Sequence, residues 1–299
     1  MFYEYAMEPS VISTWERARY FLDAFGPWNG RFLAKYPKKW TRMVYDGLAC
    51  GDLEKKRIEE RLARLDPRVF SPRANAKYDP GLSWLNNATS EHGHTPFRAI
   101  LAVGGGCGQI LDPDEVDDHC NLWRVESGGL VPRDATSFVA KVELLLRAST
   151  RVVLVDPYFR ADQHDKRQPL IAFCRAFEGQ SKQMEVHFSD EPRGYAQCMR
   201  DAEHALPRQL PEGAAVTLCC WRQRDGGPRL HNRYLLTDIG GVKFGDSIEQ
   251  GEPGQEDHLS ILDETSRTRL WENYAGPEPA FDQAGPPQQF VGLARGRRR

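Results

Sequence analysis

Between residues 135 and 276, apolar residues at helical spacing alternate with short β-rich runs, and that rhythm leaves few folds open. Phe138, Val139, Val142, Leu145 and Leu146 share a helical face, and the apolar run 152–155 that follows ends in Asp156-Pro157-Tyr158-Phe159. The pattern then predicts a helix over 169–177, a strand over 184–188, a helix over 195–206 and a strand over 215–221. Further strands fit 233–237, 242–244 and 258–262, ahead of a helix over 265–274. Helices interleaved with short strands predict an α/β sandwich around a mixed sheet.

Residues 1–96 read as a smaller, mostly helical domain. Ser10 stands before a face of Ile12, Trp15, Phe21, Leu22 and Phe25, which Gly26-Pro27 closes. Ile58, Leu62 and Leu65 mark a second helix over 52–65, ended by Pro67. Residues 97–134 read as a buried strand, 99–103, followed by a Gly/Asp-rich connection that holds the domain boundary. The glycines at 104, 105, 106 and 108 follow a strand as a phosphate loop would, but no Gly-Lys-Ser/Thr comes after them, so a glycine turn is expected. Residues 277–299, with Arg295, Arg297, Arg298 and Arg299, predict a flexible basic tail.

The 299 residues carry 40 Lys and Arg against 42 Asp and Glu, a formal charge of -2. Such a balance excludes a uniformly basic nucleic-acid coat, so any phosphate-binding face must be local. One local candidate interleaves Arg31, Lys38 and Lys39 with Phe32, Tyr36 and Trp40. These residues suit a phosphate backbone with stacked bases, but a packing face with a cationic rim is the favoured reading of the two. No apolar run reaches the roughly 18 residues of a membrane span, and no secretory signal opens the chain, which predicts a cytoplasmic protein without a transmembrane segment. Seven scattered Cys form no disulfide framework.

The chemistry concentrates in residues 230–249. Side chains at i and i+2 of a strand share a face, so His231 and Arg233 should project together. Imidazole can attack phosphorus or protonate a leaving oxygen while guanidinium grips phosphoryl oxygens in pairs. With Asp238 and a glycine seven residues beyond it, the segment resembles the His-x-Lys-x4-Asp-x6-Gly-Ser signature of the phospholipase D superfamily. The resemblance spans about Asp134 to Tyr274 and includes the Pro-Tyr-Phe that follows the first strand. Arg233 replaces the usual Lys, and Asp246 stands where Ser is expected; one extra residue would bring Ser247 into the Ser slot and Glu249 into the Asn slot.

The resemblance implies a phospholipase D-like mixed-sheet fold and a metal-independent phosphodiesterase without cofactor, working through a phosphohistidine. Without a secretion signal or membrane segment, the expected substrate is nucleic acid, hence a nuclease. Catalytic roles would fall to His231, Arg233, Asp238 and Asp257, the last orienting the imidazole from the strand after the glycine turn, with Glu256 as second choice. Substrate binding would fall to Ser247, Glu249, Arg31, Lys38 and Lys39. Two imidazoles are needed and one good motif is present; His164-Asp165-Lys166 has the spacing but reads as a loop, so a homodimer is expected to supply the second. The broken motif keeps an alternative open: a catalytically silent module that binds an anionic ligand or a protein. A docking subunit of a larger assembly, acting through the N-terminal domain, is a third reading. Cys107, His119 and Cys120, or Cys219 and Cys220 with a His, lack zinc-ligand spacing, and His92 and His94 read as a surface pair.

Overall fold

The computed structural model describes residues 1–117, 119–176 and 183–294. The chain forms two compact units, Met1–Glu126 and Ser127–Arg299.

The first unit is an α/β layer structure, not the mostly helical domain expected. Its elements are β1 (Tyr3–Met7), α1 (Trp15–Ala24), β2 (Arg31–Ala34), α2 (Trp40–Gly47), α3 (Asp52–Ala63), β3 (Phe70–Ser71), α4 (Trp84–His94), β4 (Ala99–Leu101) and β5 (Ile110–Leu111). The strands form one sheet in the order β3-β2-β1-β4-β5, with every pairing parallel. Helices α1 and α3 match the reading. The strands between them hold two to five residues and are largely buried, so they show no alternation. Thr14, not Ser10, caps α1, accepting from the Arg17 amide at 3.3 Å. Trp123, in the expected connection, is instead a core residue, its ring edge-on to Tyr5 at 5.2 Å and to Phe21 and Phe25 at 5.7 Å.

The second unit comprises β6 (Gly128–Pro132), α5 (Ala135–Ala148), β7 (Arg151–Val155), α6 (His164–Ala176), β8 (Gln183–Ser189), α7 (Tyr195–Ala205), β9 (Ala215–Arg222), β10 (Arg233–Thr237), β11 (Gly241–Phe244), β12 (Glu256–Ile261), α8 (Glu264–Ala275), β13 (Asp282–Gln283) and β14 (Gln288–Val291). Its nine-stranded mixed sheet runs β13-β9-β8-β7-β10-β11-β12-β6, with β14 also on β9. Strands β7, β8 and β9 are parallel, while β10, β11, β12 and β6 join antiparallel. Val153, Val155, Tyr234 and Leu236 pack with Leu270 and Tyr274 of α8. On the opposite face Phe138 of α5 meets Phe244 edge-on at 5.2 Å.

Two boundaries differ from expectation. Residues 128–132, assigned to the connection, are the edge strand β6. Much of the expected tail is ordered as β13 and β14, because Phe281 and Phe290 are buried against the sheet. Arg295, Arg297, Arg298 and Arg299 lie outside the described residues. Among the described residues, no helix is long and apolar enough to cross a membrane.

Candidate active site

Register decides which side chains meet. Antiparallel pairing sets Tyr234 opposite Val155 and Arg233 opposite Phe244, so the start of β10 lies beside the ends of β7 and β11. Residues just beyond those strands, Asp156 to Tyr158 and Gly245 to Glu249, therefore gather around His231 and Arg233. His231 sits in the turn immediately before β10 rather than on the strand. Strand parity turns Arg233 away from the face that Tyr234 and Leu236 give to α8.

His231 and Arg233 converge on one residue. The Tyr158 hydroxyl lies 2.6 Å from His231 Nδ1, and the Arg233 guanidinium carbon lies 4.6 Å from the centre of the Tyr158 ring. Tyr158 thus orients the imidazole through one atom and the cation through another. Among the described residues, His231 Nε2 has no hydrogen-bond partner.

Asp156, two residues earlier, is buried. Its Oδ1 accepts from the Tyr158 amide at 3.0 Å, which fixes the turn that carries the phenol, and its Oδ2 has no partner among the described residues. Burial pushes the Asp156 carboxyl up, against the opposing charges of Lys166 and Arg233.

Lys166 is a site residue that the motif does not contain. The segment expected as a loop, His164 to Lys166, is the first turn of α6, and Lys166 Nζ reaches Ser247 Oγ at 3.2 Å and pairs with Glu249. The second oxygen of Glu249 pairs with Arg133, from the turn between β6 and α5. Burial opposes ionisation of Glu249, but the hydrogen bond and charge of Lys166, with Ser247 and Arg133, outweigh it and hold the carboxyl below its usual range. His164 itself is exposed.

Asp257 is placed differently from the expectation. It is buried, and its Oδ1 accepts from the amides of Asp246 at 2.9 Å and His258 at 2.7 Å, so it organises the glycine turn while Tyr158 holds the imidazole. A Cβ on Gly245 would come within 2.8 Å of that oxygen, which is why the position needs glycine. Glu256 is exposed. Asp238 lies at the other end of β10, where its carboxylate accepts from the Thr150 amide at 3.0 Å, the Thr150 hydroxyl at 2.6 Å and the Arg151 amide at 3.3 Å. It closes β10 onto β7 and has no part in the cluster around His231.

Arg31, Lys38 and Lys39 belong to the first unit. Arg31 donates to the Trp123 carbonyl at 2.9 and 3.2 Å and stacks on the Trp123 ring at 4.6 Å, the packing reading of that segment. Tyr36 and Trp40 are buried, so neither offers a face to a base; Lys38 and Lys39 are exposed.

Among the described residues, one trio has the donors for a metal: Glu185, His187 and Cys219, within 4.8 Å of one another. Its hydrogen bonds are already assigned. Trp221 Nε1 donates to His187 Nδ1 at 2.9 Å, which places the imidazole proton on Nε2, facing Glu185 at 3.1 Å. Arg151 takes the other Glu185 oxygen at 2.7 Å. Cys219 and its neighbour Cys220 pack in β9, where burial pushes both thiols up to about 12. The trio is a structural network beneath α8. His92 and His94 lie on α4, with Nδ1 of each bonded to nearby backbone.

No family model matches the chain, and no curated protein matches it. One similar solved structure is that of TrmBL2, an archaeal chromatin protein described as showing a novel mode of DNA binding. It is 14% identical over 50% of this chain and 54% of its own, with a TM-score of 0.25, a likeness that carries no argument about fold or function.

Proposed function

We propose that the second unit is a phospholipase D-like phosphodiesterase acting on nucleic acid, with His231 as nucleophile. The observation that carries this is the Tyr158 contact to Nδ1. With Nδ1–H donating to the phenol oxygen, the Nε2 lone pair is available for attack. Nε2 forms a bond to phosphorus as the bond to the leaving alcohol oxygen breaks; that oxygen takes a proton from a second imidazole in its imidazolium form. Water then displaces Nε2 from phosphorus and gives its proton back to the second imidazole. Arg233, Lys166 and Arg133 together surround the phosphoryl oxygens, so the residues themselves compensate the developing charge. The second imidazole is His231 of another copy in a homodimer, since one two-fold axis sets identical motifs face to face.

The decisive assay follows hydrolysis of bis(4-nitrophenyl) phosphate and of single-stranded DNA by the full chain and by His231→Ala. Loss of both activities in a folded variant is the expected result; retained turnover removes His231 as nucleophile. A second reading, a silent anion-binding module, is favoured by one specific contact. Glu249 already bridges Lys166 and Arg133 and occupies both as an ion-pair partner. In that case no substrate turns over, and salt-sensitive binding of phosphate ligands remains.

A further inference from the structure

The cations nearest Ser247 share one counter-charge from within the chain. Glu249 gives one carboxylate oxygen to Lys166 Nζ and the other to Arg133 Nη2. The two cations stand on separate elements, and their side chains are only 11% and 13% exposed, so solvent does not stand in for a lost partner. Around them, buried polar atoms lack partners among the described residues: Nε of Arg133, Nε of Arg233 and Oδ2 of Asp156. A site complete in itself leaves few such atoms. The loop that carries Glu249 is fastened by its backbone, with the Gln250 amide donating to the Asp165 carbonyl at 2.9 Å and the Gly251 amide to the Arg133 carbonyl at 2.6 Å. The Glu249 side chain can therefore turn away while the loop, α6 and the β6–α5 turn keep Lys166 and Arg133 in place.

We propose that Glu249 is an internal counter-anion, occupying on Lys166 and Arg133 the position of the two non-bridging oxygens of a nucleic-acid phosphodiester, which enters by displacing it. The inference rests on reading this end of the sheet as a phosphodiester site. A carboxylate and a phosphodiester each carry one negative charge and two acceptor oxygens, so the exchange leaves the cations compensated before and after. Glu249 thereby acts as a threshold: a ligand binds only to the extent that its own contacts exceed those of the carboxylate it replaces.

Titration calorimetry on the full chain tests this, with inorganic phosphate and with a thymidine dinucleotide as probes. Glu249→Gln keeps the size and one acceptor but removes the charge, and it should bind both probes about tenfold more tightly than the unaltered protein. Adding Lys166→Met to that variant should abolish the gain. Equal or weaker binding of either probe by a folded Glu249→Gln protein overturns the proposal, as does a gain that persists without Lys166. Should Glu249→Gln lack a cooperative thermal transition, Glu249→Asp, whose shorter arm slackens the bridge, decides in its place: tighter binding supports the proposal and unchanged binding overturns it. Hydrolysis enters none of these measurements. A chain that hydrolyses through His231 without the affinity change loses the internal anion alone, and one that never hydrolyses yet shows the gain loses the phosphodiesterase alone.

Discussion

Tyr158 and His231, 73 residues apart in sequence, meet at 2.6 Å between phenol oxygen and Nδ1. A phenol can accept from the neutral imidazole and from the imidazolium alike, so the same contact suits both roles that the proposed mechanism gives His231. It also leaves the Arg233 guanidinium stacked on the ring.

Separate substitutions resolve the two functions of Tyr158. Tyr158→Phe keeps the stacked ring and removes the hydroxyl; it should lower kcat about tenfold, the scale of one lost hydrogen bond, with little change in KM. Tyr158→Ala also frees Arg233 and should raise KM as well. Steady-state kinetics on a chromogenic phosphodiester distinguishes the two, and a Phe variant with full kcat would remove the phenol from imidazole orientation.

Asp257 and Asp238 should behave as structural carboxylates. Asp257→Ala strands two amides at the glycine turn and should cost about 1–3 kcal/mol, whereas Asp257→Asn, which keeps an acceptor, should be far milder. Asp238→Ala should destabilise by a comparable amount while leaving kcat of the folded fraction intact. Urea unfolding beside kinetics checks both. A stable but inactive Asp257→Asn would restore a direct role on the imidazole.

Metal and assembly are tested together. Because Arg233, Lys166 and His231 carry the charge in the proposed mechanism, hydrolysis should survive EDTA. Mixing the chain with His231→Ala should yield heterodimers as inactive as the double variant, seen as activity falling with the square of the wild-type fraction. A monomer by light scattering that hydrolyses DNA would instead require a second imidazole from the same chain.

Acid should loosen the second unit through His187. Burial holds its imidazole below the ordinary value, against the pull of Glu185, and Trp221 Nε1–H points at the nitrogen that would have to take the proton. With a depressed folded value, the stability that neutral His187 contributes is full above about pH 6.5 and is lost as the pH falls toward that value. Glu185 acts lower. Burial works against its ionised form, but the hydrogen bonds from His187 and Arg151 prevail and hold it down to about 2, so its contribution is lost between about pH 4.3 and that value. Urea midpoints from pH 7.5 to 5 should fall for the unaltered chain and flatten for His187→Phe measured against its own pH 7.5 value. Parallel slopes would count against His187.

The second unit was legible because its elements are long enough to show a period: the strand expected at 233–237 is β10 residue for residue. The first unit hid its sheet because runs such as Arg31-Phe32-Leu33-Ala34 are too short and too buried to alternate. At the site, His231 and Arg233 do meet one residue, Tyr158, but His231 reaches it from the turn before β10 and not by strand parity. Tyr158 was visible only as part of a Pro-Tyr-Phe string, since a contact across strands is set by register and not by spacing. Lys166 drew notice as half of a second His-x-Lys, yet it matters because α6 begins there. Arg133 had no sequence signal at all, its place being fixed by the antiparallel addition of β6.

Strand β10 has His231 just before its first residue and Asp238 just after its last. The six residues 232–237 separate the imidazole from the closing carboxylate: one end can be rewritten without loosening the joint at the other. Under the proposed function, replacing His231 alone would remove the nucleophile and leave the β7–β10 seam as it is. If the proposed function holds, an architecture of this kind would pass from cutting a polymer to merely holding one by a single codon change, with the fold kept.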